Sequence, residues 1–276
     1  MQLLSQTYPV SMSCAVLSLP RSSYYHRGQG RDEGGQREAI RDVAGRFPTY
    51  GSRRIKAQLE RAPYGIELGR SRVRQLMREM NLLVNPKRRR VKTTDSQHGR
   101  CRFPNLVKGI RASRPDQIWV ADITYLRVRS DDVYLAILMD QFSRAIRAWN
   151  LNWSLGEGLA LLPLKQALER YRAPEIHHSD QGAQYAAKAY VRLLQDAGTQ
   201  ISMAAVGKPS QNGYAERVIR TIKEEEVYLS EYRNIAEARQ QLGHFIDVVY
   251  PQQRIHSALG YLTPAEIEAT WNTCPP

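Results

Sequence analysis

The sequence has few of the residues that build disulfide frameworks, structural zinc sites or membrane spans. Its 276 residues include only three cysteines, Cys14, Cys101 and Cys274, which lie far apart and form no CxxC or Cys/His cluster. This spacing argues against disulfides and structural zinc, and it fits a reducing compartment. No apolar run approaches the roughly 18 residues that cross a bilayer, and no basic segment precedes an apolar run at the start. These absences predict a cytoplasmic protein without a membrane role.

Acidic residues are scarce in the first part of the chain. Residues 1–115 carry 24 basic and 8 acidic side chains, whereas residues 116–276 carry 16 and 19, for a net charge of +13. This asymmetry predicts a polyanion-binding part joined to a part with another task. Arginine dominates the basic part, as bidentate phosphate contacts require. A merely soluble basic surface is the alternative, and nucleic acid is the favoured partner.

The basic part is predicted to be helical. A short helical segment is expected over residues 1–30, and three short helices over 31–84. Val73, Leu76, Met77 and Met80 recur at helical spacing, and Ser71 is a candidate N-cap. The pattern favours a helix-turn-helix DNA-binding domain over a plain three-helix bundle. The arginines expected to contact DNA there are Arg53, Arg54, Arg72 and Arg74.

Residues 85–115 are polar and aperiodic, which predicts a basic linker. Lys87, Arg88, Arg89 and Arg90 form a compact cationic run that suits phosphates rather than bases. A solvated tether is the simpler interpretation, and the two are compatible.

The pattern changes from residue 116 onward. Residues 119–126, 133–139 and 145–151 are β-rich runs, and the first two are separated by a polar turn. Helical segments then alternate with short strands over the rest of the chain. Residues 116–276 are therefore predicted to be an α/β domain with a mixed sheet and a C-terminal helical tail.

Three carboxylates on separate elements carry the predicted chemistry. Asp122 lies within an apolar strand, where an unpaired charge is costly. Asp180 follows a short strand, where α/β sheets place ligands, and Glu216 lies early in a helix. Each alone could be a cap, a turn residue or part of a solvated face. Together they suit Mg²⁺, and two such ions about 3.5–4 Å apart can clamp both oxygens of a phosphodiester displacement.

The helix of Glu216 strengthens this interpretation. Glu216, Arg220 and Lys223 share one stripe at i, i+4 and i+7, beside an apolar face. This orientation would direct Arg220 and Lys223 along bound DNA. An ordinary surface ion pair, worth about 0.2–0.5 kcal/mol, is the alternative.

The chain resembles the transposases of bacterial insertion sequences, specifically the downstream-frame (OrfB) product of the IS-three family, which are relatives of retroviral integrases. The matching stretches are WVADITYL, LMDQFSR, HHSDQGAQY, SQNGYAERVIRTIKEE, HSALGYLTPAE, YGSRRIKAQL and VRQLMREMNLL. The D-D-35-E triad of that family falls on Asp122, Asp180 and Glu216, and its later basic residue on Lys223.

The resemblance implies a ribonuclease-H-like (integrase) catalytic core, an upstream helix-turn-helix and two Mg²⁺ ions, for which Mn²⁺ can substitute. It implies DNA strand cleavage followed by transfer of the 3′-hydroxyl, with the terminal inverted repeats and target DNA as substrates. A homo-oligomer is expected on DNA. The sequence holds no sustained heptad run, so an upstream-frame (OrfA-type) partner is expected to supply end recognition or dimer formation. A non-catalytic DNA-binding repressor and a simple nuclease are the alternatives.

Several further residues admit two interpretations. Asp140 is expected to be structural and to pair with Arg144, with metal binding as the alternative. Asn212 is expected to cap the Glu216 helix or to contact DNA. His178 shares a face with Asp180 and could touch DNA or water, whereas one of the two adjacent histidines is expected to be packed in the core. Packing is also the expectation for the following residues: Trp149, Trp153, His256, Ser257 and Tyr261.

Overall fold

The computed structural model describes residues 8–25, 34–84, 103–205 and 207–273. The chain divides into two compact units, residues 1–39 and 40–276. The first unit contains helices α1 (Val10–Val16) and α2 (Arg21–Tyr25). The division lies within helix α3 (Gly34–Arg46). It therefore does not coincide with the predicted boundaries after residues 30, 84 and 115, which stay predictions.

The second unit begins with a helical region that includes α4 (Ser52–Leu59) and α5 (Arg70–Glu79). Val73, Leu76 and Met77 are fully buried, so the predicted apolar face of α5 is confirmed. The predicted N-cap at Ser71 is wrong, because the helix already begins at Arg70, and Gly69 occupies the cap position in an extended conformation.

The rest of the second unit is built on a five-stranded mixed sheet in the order β3-β2-β1-β4-β5. Its first three strands are antiparallel, whereas β4 and β5 run parallel to β1. The strands are β1 (Ile118–Val128), β2 (Asp131–Asp140), β3 (Ile146–Asn152), β4 (Ile176–Ser179) and β5 (Gln200–Met203). This topology, with helices on both faces, confirms the predicted ribonuclease-H-like α/β core.

Alternation along the strands sends side chains to two separate cores. Trp119 and Ala121 of β1 pack with one pair of helices, and Val120 packs on the opposite face with another set. The first pair is α6 (Gly158–Arg170) and α7 (Lys188–Asp196). The opposite face is covered by α8 (Gly213–Ile222) and α9 (Ile235–His244). Helix α8 continues as a π-helical turn (Lys223–Val227), and α9 continues through Phe245–Val249 and Tyr250–Gln252. Helix α10 (Pro264–Thr273) ends the described chain.

The two tryptophans of β3 and its following loop differ in their surroundings. Trp149 packs half-buried against the core of the α8 face, and its Nε1 donates to Asp247 Oδ1 at 2.9 Å. Trp153 is 48% exposed, so its predicted core position is wrong, because it lies beyond the end of β3. Among the described helices, none has the length and apolar character of a bilayer span.

Candidate active site

The first two predicted carboxylates lie where strands β1 and β4 part. The parallel pairing of these strands ends at Val120 opposite His178. Asp122 and Asp180 each lie two residues further along, so each shares a face with its partner in that last pair. Val120 belongs to the core beneath α8. Asp122 therefore points to the side of the sheet on which α8 carries Glu216.

Electrostatic coupling shows that the three carboxylates lie near one another. Burial, together with the charges of Asp180 and Glu216, raises the pKa of Asp122 to about 8, although Lys223 and a hydrogen bond from Ile123 N oppose the rise. That hydrogen bond, from Ile123 N to Asp122 Oδ1, is 2.8 Å long. A carboxyl with this pKa is mostly protonated at neutral pH unless a cation offsets its neighbours.

Asp180 is oriented by the tight turn that follows β4. Its Oδ1 accepts a hydrogen bond of 2.9 Å from Gly182 N. A Cβ on Gly182 would lie 3.0 Å from this same oxygen, so the position favours glycine. Tyr185 lies beside the site, because the charges of Asp122 and Asp180 both raise the pKa of its phenol after the larger effect of burial. Sequence reasoning missed Gly182 and Tyr185, although both lie in the HHSDQGAQY stretch.

Glu216 lies in the first turn of α8 and is half-buried. Burial raises its pKa, and Arg220, one turn later, lowers it. Arg220 is exposed, and Lys223 places its Nζ 4.9 Å from the ring centroid of Tyr125 on β1. The basic residues after Glu216 therefore lie along one flank of the strand that carries Asp122.

The donor set at this site consists of carboxylate oxygens. Within the described ranges, no group of three or more His, Cys, Asp or Glu side chains is arranged to hold a metal ion as it stands. However, Asp122 and Asp180 oppose one another electrostatically, and a hard divalent cation would relieve this repulsion. The chemistry of Asp122, Asp180 and Glu216 therefore fits Mg²⁺ or Mn²⁺.

His178 and Asn212 are both buried, which does not fit the prediction that they contact DNA. His178 places Nδ1 2.8 Å from Ser202 Oγ and Nε2 3.1 Å from the carbonyl of Gln211. Asn212 Nδ2 donates to the carbonyl of Ala121 at 2.9 Å. The predicted side-chain cap by Asn212 is wrong, since no such bond forms at the start of α8. These two residues instead tie the segment before α8 to β1 and β4.

The neighbouring histidine and the fourth acid are structural. His177 is fully buried and is hydrogen-bonded to the hydroxyl of Tyr190 at 2.8 Å, as expected for a core histidine. Asp140 accepts hydrogen bonds from Asp116 N and from the backbone and hydroxyl of Ser143. Its cationic partner is Arg147 at 4.0 Å on the adjacent strand, so the predicted pairing with Arg144 is wrong.

The described arginines of the helical region differ in exposure. Arg53 and Arg74 are exposed, and Arg72 is half-buried. Arg54 instead forms an ion pair with Glu225 at 3.0 Å and stacks on Tyr50 at 4.5 Å. The cationic run Lys87, Arg88, Arg89 and Arg90 lies outside the described residues.

The tail motif is partly packed. His256 is half-buried and packs edge-on against Tyr250, with ring centroids 5.1 Å apart, as predicted. Ser257 is exposed, and Tyr261 is half-buried at a left-handed φ of 65°.

Known families match two stretches of the chain, residues 31–90 and 112–264. An integrase core domain matches residues 112–209 and a second integrase core model matches residues 197–264. An HTH-like domain matches residues 31–90.

Individual relatives match over similar lengths. A transposase for insertion sequence element IS629 of Shigella sonnei is 31% identical over 97% of this chain and 94% of the relative. A 31 kDa protein of insertion element IS600, also of Shigella sonnei, is 32% identical over 91% of this chain and 96% of the relative. Among solved structures, the chain is similar to a simian T-cell lymphotropic virus intasome in complex with a PP2A regulatory subunit. The TM-score is 0.49 at 15% identity, and the match covers 83% of this chain and 73% of that chain.

Proposed function

We propose that this chain, which belongs to the family of insertion-element transposases with an integrase core domain, cuts DNA at the ends of a mobile element and joins the resulting 3′-hydroxyl to target DNA. Asp122, Asp180 and Glu216 are the proposed catalytic and metal-binding residues. The observation that carries the proposal is the position of Asp122 and Asp180 where β1 and β4 part, on the side of the sheet on which α8 carries Glu216. The charges of Asp180 and Glu216 also raise the pKa of Asp122. The terminal inverted repeats of the element and the target duplex are the proposed substrates.

The three carboxylates would hold two Mg²⁺ ions, and Mn²⁺ can substitute. When bound, such ions activate the attacking oxygen and stabilise the leaving oxygen of the phosphodiester. The chain itself orients the carboxylates. Backbone N–H groups of Ile123 and Gly182 fix one oxygen each of Asp122 and Asp180, so these side chains lose little freedom when a cation binds.

The proposed DNA contacts fall into two groups. Arg220 and Lys223 extend from the flank of the active site, where they can hold the strand that reacts. Arg53, Arg72 and Arg74 of the helical region are proposed to grip the duplex. Lys87, Arg88, Arg89 and Arg90 are proposed to add phosphate contacts. Arg54, His178 and Asn212 are bonded within the protein, and we assign them to positioning these elements.

Assembly on DNA is also part of the proposal. A homo-oligomer is proposed, because two element ends are joined in one event and each needs an active site. An upstream-frame partner is proposed to supply end recognition. The chain would act in the cytoplasm, at the nucleoid.

A strand-transfer assay on the purified full chain tests the proposal. The substrate is labelled duplex from the DNA that flanks the gene, with Mg²⁺ or Mn²⁺, and Asp122→Asn is measured beside the unaltered chain. Joined products that vanish in the variant support the proposal. Equal activity in the variant contradicts it. Binding without cutting calls for the same assay with the upstream-frame protein added.

A further inference from the structure

Helix α8 borders a second charged site, on a different side from Glu216. A cleft of about 810 Å³ opens there, and we name it the basic cleft. The described residues that line it include no Asp or Glu, and Asp122, Asp180 and Glu216 are not among them. Its cationic side chains come from five segments, namely Arg54, Lys108, Arg111, Arg144, Arg217 and Arg254. The basic cleft is therefore separate from the carboxylates in both residues and charge.

Only some of these cations have an acidic partner. Arg54 and Arg254 share Glu225, with N–O distances of 3.0 Å and 2.7 Å. Within the part of the chain that the structure describes, Arg144 and Arg217 form no ion pair within 4.0 Å. One carboxylate thus faces four guanidinium groups, and the cleft keeps a net positive charge.

The positive charge of the basic cleft acts on the pKa of His256. Burial, together with the charges of Arg254, Arg144, Arg54 and Arg217, lowers its pKa to about 2. All four guanidinium groups therefore lie close enough to the imidazole to oppose its protonation. The histidine remains neutral and adds no charge to a site that is already cationic.

Arg144 is held in a conformation that leaves one of its donors without a partner. Its guanidinium stacks on the ring of Tyr214 at 4.0 Å, and its Nη1 is buried without a hydrogen bond among the described residues. Its backbone is left-handed, with φ at 65°, which is costly for a residue with a side chain. A buried donor without an acceptor is unfavourable, so an acceptor supplied from outside would stabilise this arrangement.

We propose that the basic cleft binds the phosphate group of a nucleotide or of a nucleic-acid strand, with Arg144 and Arg217 as its principal ligands. Guanidinium groups form paired hydrogen bonds with phosphate oxygens. The volume lies within the range of small-ligand sites, about 300–1,000 Å³. Cations spread over several segments suit a doubly charged group or successive phosphodiesters better than one carboxylate. A DNA strand as the source of the phosphate rests on the proposed function, whereas phosphate binding itself does not.

The test measures binding to the full chain in EDTA, so that no DNA is cut. The probes are inorganic phosphate, a deoxynucleoside monophosphate, a short labelled single strand and its duplex. The variants are Arg144→Gln and Arg217→Gln. Arg192→Gln is the matched control, because Arg192 has a side chain 84% exposed on α7, over the opposite face of the sheet.

We expect each cleft variant to weaken binding of at least one probe about tenfold, since a hydrogen bond to a charged group is lost. The control should stay within about twofold. If inorganic phosphate and the monophosphate show the loss, the source is a free phosphate compound. If only the oligonucleotides show it, the source is a strand, and the salt dependence of binding should become shallower.

Equal affinity of both cleft variants and the control for every probe would overturn the inference. Arg217 is exposed, so Arg217→Gln tests the inference even if Arg144→Gln fails to fold. The same titrations on Asp122→Asn separate the two proposals. An unaltered chain that binds phosphate through Arg217 but joins no DNA, even with the upstream-frame protein added, would keep the cleft and contradict only the proposed function.

Discussion

Two sites lie on different sides of helix α8, one built from acidic side chains and the other from basic ones. Within each site the like charges repel one another, and the two sites relieve this repulsion differently. The acidic site (Asp122, Asp180 and Glu216) can take up a proton, as the pKa of Asp122 near 8 indicates. The basic cleft cannot give one up, because arginine stays protonated at any ordinary pH. Among the described residues, Glu225 offsets part of this charge, while His256 stays neutral and adds none.

The two sites therefore differ in how much they need a ligand to relieve their charge repulsion. Without a bound cation, the acidic site can lower its charge by binding a proton. Without a bound anion, the basic cleft keeps its positive charge.

The largest effect should come from removing a charge in the acidic site. Asp122→Asn or Glu216→Gln should reduce strand joining by about a thousandfold or more, because several kcal/mol of transition-state stabilisation are lost. DNA affinity, measured by fluorescence anisotropy, should stay nearly constant. Asp196→Asn is the matched control, since its side chain is 67% exposed on α7. Joining by Asp122→Asn at the rate of this control would contradict the assignment.

Breaking the buried ion pair beside the basic cleft should mainly cost stability. Glu225→Gln should lower the free energy of unfolding by about 3–5 kcal/mol, because Arg254 is left buried without its partner. The exposed pair Lys56–Glu60 gives the control, where Glu60→Gln should cost about 0–1 kcal/mol. Denaturant titration measures both. The same variant should bind phosphate more tightly, because the cleft becomes more positive, and weaker phosphate binding would argue against the cleft.

The stability contributed by Glu225 should depend on pH in one direction. Burial alone raises the pKa of Glu225, but hydrogen bonds and charge from Arg254 and Arg54 outweigh it and hold this pKa below its ordinary value of 4.5. The contribution is therefore fully present above pH 4.5 and is lost as the pH falls through the lower folded pKa. Thermal unfolding of the unaltered chain and of Glu225→Gln should converge in acid. A constant difference down to strongly acidic pH would contradict the pairing.

Ligands should separate the two sites. Mg²⁺ should raise the melting temperature of the unaltered chain and of Arg217→Gln but not of Asp122→Asn. Inorganic phosphate, at constant ionic strength, should raise it for Asp122→Asn but not for Arg217→Gln. A ligand at a hundred times its Kd adds about 2.7 kcal/mol. Loss of both responses in one variant would mean that the two sites are not independent.

The smallest effect is expected at the connection between the sites. Asn212→Ala removes the hydrogen bond to the carbonyl of Ala121, beside Asp122. It should cost about 1–2 kcal/mol of stability and slow joining without weakening DNA binding, because the start of α8 is less firmly held. Asn272→Ala, at an exposed position in α10, is the control. An Asn212→Ala chain that joins DNA at the unaltered rate would limit this residue to stability alone.

Local patterns predicted the fold and the proposed catalytic residues. Apolar alternation located β1 around Asp122, and helical spacing located α8 around Glu216, because both signals lie within a few neighbouring residues. Partners across the sheet were harder to predict. Nearness in sequence favours Arg144 as the partner of Asp140, yet strand pairing brings Arg147 to that carboxylate.

The basic cleft could not be predicted, because its members come from separate segments. The density of arginine around Arg54 predicts a DNA contact, but its partner Glu225 lies 171 residues away. The sequence position of Asn212 predicts that it caps its own helix, because the nearest donors in sequence are there, but its amide donates to the carbonyl of Ala121 instead. Such contacts depend on tertiary packing, which periodicity does not encode.

The link between Arg54 and Glu225 couples two parts of the second unit mechanically. Glu216 and Glu225 lie about 13 Å apart along one continuous helical rod, at 1.5 Å per residue. One end reaches the acidic site, and the other holds α4 through Arg54. With α4 on DNA as proposed, we expect a change in the tilt of α4 to be transmitted along this rod to Glu216. Substitutions that adapt α4 to new DNA should then alter the rate of reaction as well as the choice of site.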